Sequence, residues 1–211
     1  MSTGALHEPF EDLGRQRDAA EFGMWVFLAS EVVFFGAMFA GYAVYRHQRP
    51  EGFAVAGQHV DLVLGSINTI LLLTSSGTMS VAAWSARANL RQPTMIALAA
   101  TLLLGLGFLG VKALEYQQDL HEHLWPGDPM FPSDLPGARS FFAFYWLMTS
   151  VHAIHLSIGI AAVSITLVRM RLRRAAWHRS GLLHALALYW HLVDVIWIFL
   201  FPLLYLVGRS A

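Results

Sequence analysis

Five long apolar segments constrain this chain more than any other feature of its sequence. Each is long enough to cross about 30 Å of hydrocarbon, which takes roughly 20 helical residues. The apolar runs are continuous rather than alternating, and this excludes a strand barrel. We therefore predict an all-α polytopic membrane protein with five transmembrane helices, near residues 22–45, 62–86, 94–116, 140–169 and 183–207.

The composition fits a chain that lies mostly within lipid, because 56% of the residues are hydrophobic and only 13% are charged. The formal net charge of +0 argues against nucleic acid as a partner. The absence of cysteine excludes disulfides, thiolate metal sites and cysteine nucleophiles. Phosphate-binding glycine loops, zinc-protease helices and serine elbows have no counterpart in the sequence.

The segments outside the spans predict one domain with a short leader. Residues 1–21 contain several carboxylates before any apolar run, so we interpret them as a polar cytoplasmic leader and not as a secretory signal. Residues 22–208 form the transmembrane domain. Segment 87–93 is predicted to be a tight hairpin that ends in Pro93, and the proline-rich segment 117–139 is predicted to be an irregular cap over one end.

The arginines near the span ends predict the orientation, because cytoplasmic loops carry an excess of Lys and Arg. One side has four of them, at positions 46, 49, 139 and 209. The other side, which includes the N-terminus, has nine: Arg15, Arg17, Arg87, Arg91, Arg169, Arg171, Arg173, Arg174 and Arg179. We predict a cytoplasmic N-terminus and a periplasmic C-terminus.

Polar residues inside the spans are the candidates for function, since charged groups in hydrocarbon are costly. Glu31 lies well inside the first span, where a carboxyl group is either protonated or faces a polar partner. A neutral acid bonded between helices and a proton relay or lipid-headgroup contact are equally compatible with the sequence.

The third span carries Lys112, Glu115 and Tyr116 on neighbouring turns. Lys112 and Glu115 are three residues apart and can pair on one face of a helix. We interpret them as a structural ion pair close to the external interface, where long side chains extend towards water.

Histidines mark the last two spans. His152 and His155 could share a metal on one helix face, but a third ligand would have to come from His184 or His191. Interhelical hydrogen bonding is the simpler interpretation. The same two interpretations apply to His191 and Asp194. An Asp at this spacing can orient a His that binds a metal, or the two side chains can simply satisfy each other's hydrogen bonds.

Five stretches of the chain resemble subunit III of the haem-copper oxidases, the family of cytochrome c oxidase and quinol oxidase. The resemblance covers roughly residues 22–207, and it is closest to the short five-helix bacterial form, with a leader most like caa3-type enzymes. In chain order the stretches are "GMWVFLASEVVFFGAMFAGYAVYR", "NTILLLTSSGTMSVAAWSA", "GFLGVKALEY", "SVHAIHLSIG" and "YWHLVDVIWIFLFPLLYL".

The resemblance implies a non-catalytic subunit of a proton-pumping terminal oxidase in aerobic respiration, in the bacterial inner membrane. Such a subunit contains no haem or copper, contacts subunit I directly and subunit II, and meets cytochrome c or a respiratory supercomplex only through the whole assembly. It binds phospholipids in a cleft between helices, stabilises subunit I and supports proton uptake.

The family motifs also imply roles for individual residues. Glu31, His152 and His155 match residues that line the lipid cleft and serve proton uptake. Structural polar contacts are implied for a second set: Asn68, Lys112, Glu115, Tyr116, His191 and Asp194.

The sequence also leaves four other functions open. The chain end "FPLLYLVGRSA" also resembles accessory proteins encoded with nitric oxide reductases, and the complex could accept electrons from quinol instead of cytochrome c. A self-contained metal or haem enzyme would use His152, His155 and His191. A proton-coupled transporter is less well supported, because the repeated halves of that class are missing.

Overall fold

The computed structural model describes residues 13–132, 137–172 and 180–207, and all regular structure in these ranges is helical. This confirms the predicted all-α class. The helices, in chain order, are α1 (Leu13–Gln48), α2 (Pro50–Gln58), α3 (Leu62–Arg87), α4 (Arg91–His121), α5 (Ala138–Leu172) and α6 (Ser180–Tyr205).

Five of these helices, all except α2, are long and apolar enough to cross a membrane. The chain is therefore a multi-pass membrane protein. The predicted spans differ from the helices mainly at their ends. Helix α4 continues to His121, beyond the predicted end at residue 116, because its last turn is polar and hydropathy does not detect it. The predicted leader is described only from Leu13, where it already forms the start of α1.

The connections around α3 are short and closed by local hydrogen bonds. Asp61 caps α3 by accepting bonds from the backbone amides of Val63, at 2.8 Å, and Leu64, at 3.2 Å. At its other end, Asn89 takes a positive φ of 58° between α3 and α4. The predicted hairpin over 87–93 is thus shorter than expected. Pro93 belongs to the first turn of α4, where its missing amide is not needed.

The segment after α4 anchors one end of the bundle. The Leu124 amide donates to the Asp119 carbonyl at 2.8 Å, and the Leu124 carbonyl accepts a bond from the Trp146 indole of α5 at 3.3 Å. The ring of Phe131 packs edge-on against Phe142, which also belongs to α5. The predicted cap is therefore seated on α5, although its residues 133–136 lie outside the described ranges.

Helices α3 to α6 form the core of the bundle, and α1 lies at its periphery. Helix α3 packs on α4 and α6, α5 also packs on α4 and α6, and α1 leans on α5 and α6. Half of the apolar stretch of α6 is buried, 50%, against 11% for that of α1. The most buried of the five spanning helices is thus central, and it positions polar groups described below.

Small residues allow close contact between helices at some positions and not at others. A Cβ added at Gly105 would lie 3.0 Å from the Trp190 ring, so this glycine does admit a bulky partner. Gly36 and Gly110 have no atom within 4 Å of such a Cβ, so within the described residues these two glycines do not admit a close partner.

Several arginines assigned to one membrane side do lie at the same end of the bundle. Arg91 donates to the backbone carbonyl of Met170 at 2.6 Å, and Arg87 contacts His184 at 3.2 Å. The ends of α3 and α5 therefore meet the starts of α4 and α6 in one basic region. Which side of the membrane this region faces remains a prediction from the arginine distribution.

Candidate functional site

Glu31 of α1 and His155 of α5 meet in the interior of the membrane-spanning region. A Glu31 carboxylate oxygen lies 3.0 Å from Nε2 of His155, and the side chains are 17% and 18% exposed. Nδ1 of His155 faces the carbonyl of Val151 at 2.8 Å, and the Tyr189 hydroxyl donates to the His155 carbonyl at 2.8 Å. The pair is therefore an acid–base contact between helices that is shielded but still reachable from outside the chain.

Aromatic rings surround this pair and reduce its contact with solvent. The ring of Phe35 meets the His155 imidazole edge-on, with centroids 5.3 Å apart, and Phe34 lies 6.5 Å from it. Both phenylalanines belong to the same stretch of α1 as Glu31. The sequence left open whether Glu31 is protonated or faces a polar partner, and the structure places the imidazole of His155 beside it.

His152 does not join this pair, although the family motif groups it with His155. Its side chain is fully buried, at 0% exposure. Its ring packs against Phe108 and Trp197, with centroids 5.6 and 5.1 Å away. Neither ring nitrogen has a hydrogen-bond partner among the described residues. The expectation that His152 lines an accessible cleft beside Glu31 is therefore not met by this arrangement.

A second group of polar side chains lies buried between α4, α5 and α6. Lys112 and Glu115 form the expected ion contact at 3.2 Å. The Lys112 ammonium also donates to the hydroxyls of Tyr145, at 3.0 Å, and Tyr205, at 2.8 Å. Lys112 is only 2% exposed, so the expectation that its side chain extends to the interface is wrong.

The two tyrosines connect this ion pair to a further acid. Oε1 of Glu115 lies 2.7 Å from the Tyr205 hydroxyl and 2.8 Å from the Tyr145 hydroxyl. The Tyr145 hydroxyl also lies 2.8 Å from a carboxylate oxygen of Asp119. Sequence inspection found Lys112 and Glu115 from their spacing on one helix, but it missed Asp119, Tyr145 and Tyr205.

Close packing by α3 holds one of these tyrosines in place. A Cβ added at Gly65 of α3 would lie 2.5 Å from the ring of Tyr205. Tyr116, predicted as a structural contact, bonds elsewhere. Its hydroxyl lies 2.7 Å from Oγ1 of Thr149 and 3.3 Å from Oγ of Ser150 on α5.

His191 forms a contact between helices, but not through Asp194. Its Nδ1 lies 2.8 Å from the Ser76 hydroxyl of α3 and its Nε2 lies 3.3 Å from that of Ser80. The nearest oxygen of Asp194 is 4.0 Å from Nδ1, which is beyond hydrogen-bond distance. The local pair expected from the spacing is thus replaced by bonds between α6 and α3.

Asn68 and the histidines complete the set of predicted site residues. Asn68 is fully buried on α3, at 0% exposure.

His152, His155 and His191 each face different neighbours. Within the described ranges no three His, Asp or Glu side chains are grouped so that they could hold a metal ion. Within these ranges His152, His155 and His191 therefore do not form one shared set of metal ligands.

Comparison with known proteins provides a family context for this geometry. Residues 15–209 match the family model described as cytochrome c oxidase subunit III. The quinol oxidase subunit 3 of Bacillus subtilis strain 168 is 32% identical over 189 residues, which are 90% of this chain and 87% of that protein. The cytochrome c oxidase subunit 3 of the same strain is 31% identical over 186 residues, or 88% and 85% of the two chains.

Proposed function

The chain belongs to the cytochrome c oxidase subunit III family of the haem-copper oxidases, and from this premise we propose that it is the non-catalytic third subunit of a proton-pumping terminal oxidase. As a member of this family it associates with other oxidase subunits. We propose subunit I as its direct neighbour, with subunit II in the same assembly and the bacterial plasma membrane as its location.

The proposed role is to stabilise the catalytic subunit and to support its supply of protons, with every haem and copper held by the partner subunits. The contact of Glu31 with His155 carries this proposal. A carboxyl group paired with an imidazole can take up and release a proton, and this pair remains 17% and 18% exposed. It lies on α1 and α5, inside the membrane-spanning part of the chain.

Bound phospholipid is proposed as the other neighbour of this pair. The outer face of α1 is apolar and exposed, with Val32 at 57% and Val33 at 71%. Such a surface suits acyl chains or an apolar partner helix. A lipid headgroup near Glu31 and His155 could form hydrogen bonds with their partly exposed polar atoms, whereas hydrocarbon chains cannot.

Cytochrome c is the proposed electron donor of the complex, and quinol is the second candidate. The leader sequence favours cytochrome c because it resembles that of caa3-type enzymes. Quinol is favoured by the names of several relatives, among them the quinol oxidase subunit 3 of Bacillus subtilis at 32% identity. The sequence identities of the quinol oxidase and cytochrome c oxidase relatives to this chain, 32% and 31%, are too similar to decide between the two electron donors.

Purification of the tagged chain from its native membrane in mild detergent tests this proposal. Oxygen uptake by the recovered complex is measured with reduced cytochrome c and, separately, with a quinol. Uptake with cytochrome c alone supports the first candidate, and uptake with quinol alone selects the second. A complex that consumes nitric oxide but not oxygen would overturn the oxidase assignment.

A further inference from the structure

The hydroxyl of Tyr145 has more close neighbours than its own proton can serve. Three polar atoms lie around it: the Lys112 ammonium at 3.0 Å, a Glu115 oxygen at 2.8 Å and an Asp119 oxygen at 2.8 Å. A phenol donates one hydrogen bond, and here it accepts one from the ammonium. Two carboxylate oxygens therefore compete for a single phenolic proton.

One of the two carboxyl groups must then carry a proton of its own. If Tyr145 donates to Glu115, the oxygen of Asp119 at 2.8 Å is attractive only if Asp119 donates to the phenolic oxygen. If Tyr145 donates to Asp119, the same reasoning applies to Glu115. Two ionised carboxylates would leave one short oxygen–oxygen contact without a hydrogen between the atoms.

The charges of the cluster lead to the same conclusion. Lys112, Glu115 and Asp119 would together carry one net negative charge if all three were ionised. They are 2%, 1% and 4% exposed, and an uncompensated charge at such depth is costly. One additional proton makes the cluster neutral.

The contacts indicate which acid carries this proton. Glu115 is well supported as an anion, because one oxygen accepts from Tyr205 at 2.7 Å and the other lies 3.2 Å from Lys112. The contact of Asp119 in the cluster is with the Tyr145 hydroxyl. Asp119 is thus the acid, and its proton points to Tyr145.

Asp119 also provides the cluster with an exit. It lines a cavity of about 390 Å³ at the end of α4, together with polar residues of the α2–α3 connection and of α4 itself. The lining includes His59, Asp61 and Glu122. A proton on Asp119 can therefore exchange with this cavity, whereas Glu115 lies deeper in the bundle.

We propose that Asp119, Tyr145 and Glu115 form a proton-binding relay that holds one exchangeable proton and opens to the cavity at the end of α4. In the resting state Asp119 donates to Tyr145, and Tyr145 donates to Glu115. When the proton shifts inwards, the O–H bond of Asp119 breaks and Tyr145 receives its proton. Tyr145 in turn releases its own proton to Glu115. The total charge of the cluster is unchanged by this shift.

The charged and titratable groups around the relay come from every element that packs on it. They are Lys112, Tyr116 and Glu122 on α4, Tyr205 on α6, and His59 and Asp61 beside α3. Lys112 is the cation that balances Glu115. The relay does not depend on the proposed oxidase role, because every group in it belongs to this chain.

Infrared difference spectroscopy of the full chain, in its native complex in lipid nanodiscs, tests the proposal through the carbonyl stretch of protonated carboxylic acids. The spectrum of Asp119→Asn subtracted from that of the wild type should contain one acid band per chain. This band should shift in D2O as the proton exchanges through the cavity. Glu122→Gln, which alters the same cavity but not the relay, should retain the acid band.

Glu115→Gln separates the relay from an acid that is protonated merely because it is buried. Without the Glu115 charge, an ionised Asp119 balances Lys112, so the acid band should disappear although Asp119 is still present. Tyr145→Phe removes the acceptor of Asp119 and should move the band to higher wavenumber. The proposal is overturned if Asp119→Asn removes no acid band, or if the band persists unchanged in Glu115→Gln.

Discussion

Replacement of Gly65 by alanine tests how tightly α3 holds the buried cluster. The new Cβ would lie 2.5 Å from two ring carbons of Tyr205. Carbon atoms in contact prefer about 3.5–4.0 Å, so the ring must move by about 1 Å or more. Overpacking of this kind costs about 1–3 kcal/mol in a well-packed core.

The displaced ring would also weaken two hydrogen bonds. The Tyr205 hydroxyl lies 2.8 Å from the Lys112 ammonium and 2.7 Å from Glu115. A shift of this size stretches both beyond normal hydrogen-bond distance, and a bond to a charged group contributes about 1.5–3 kcal/mol. Because the terms overlap, we expect Gly65→Ala to lower the free energy of unfolding by about 2–4 kcal/mol.

Unfolding in mixed micelles with increasing denaturing detergent measures this loss, with Gly77→Ala as the matched control. Gly77 lies on the same helix, and a Cβ there meets no atom within 4 Å. The control should therefore be neutral or slightly stabilising, since alanine favours a helix more than glycine does. Equal stability of the two variants would refute the account of the contact between Gly65 and Tyr205.

Three further predictions concern other parts of the chain. Glu31→Ala should reduce bound phospholipid and hasten inactivation during turnover, while the initial rate of oxygen reduction stays near normal. Glu21→Ala is the control. Immediate total loss of activity in Glu31→Ala would contradict this prediction. His191→Ala should lower the free energy of unfolding by about 1–2 kcal/mol, the value of an interhelical polar contact, and an unchanged detergent midpoint would count against this. The pKa of Asp128 is lowered first by the hydrogen bond from the Met130 amide and then by the contact with His123. The contacts of Asp128 in this loop should therefore persist above about pH 4 and be lost at lower pH, and hydrogen exchange measures this loss.

The sign of the last prediction follows from the direction of the shift. A carboxyl group with a lower pKa in the folded state stabilises the fold above its unfolded pKa, and it loses that contribution as the pH falls through the folded value. Hydrogen exchange at residues 122–131 should therefore accelerate only on the acid side. Acceleration on raising the pH from neutral, beyond the intrinsic base catalysis of exchange, would contradict the role of Asp128.

Hydropathy was sufficient to predict the helical class and the five spans, because the bilayer requires long continuous apolar helices. It failed where that requirement does not apply. Helix α2 has only 9 residues, too few to cross a membrane, so it left no hydropathy signal. The last turn of α4 is polar, so its helix was predicted to end too early.

The site residues divide according to sequence separation. Lys112 and Glu115 could be paired from the sequence because they are three residues apart on one helix. Asp119 and Tyr145 are separated by 26 residues, and Tyr205 and Glu115 by 90, so only the packing of α4, α5 and α6 brings them together.

Local spacing also misled in one case. It grouped His191 with Asp194, although the imidazole bonds to Ser76, 115 residues away on α3. A spacing of three residues places two side chains on the same helix face, but it does not determine the hydrogen-bond partner of either one. That partner depends on the adjacent helix, which the sequence of one span does not describe.

The distribution of haem tests the central claim most directly. The tagged chain is purified with its partners, stripped from them with stronger detergent, and the visible absorption of both fractions is recorded. If the chain is a non-catalytic subunit III, the haem absorption remains entirely with the partner fraction and the isolated chain has none. Recovery of stoichiometric haem with the isolated chain, or of the chain without any haem protein at the first step, would contradict the account.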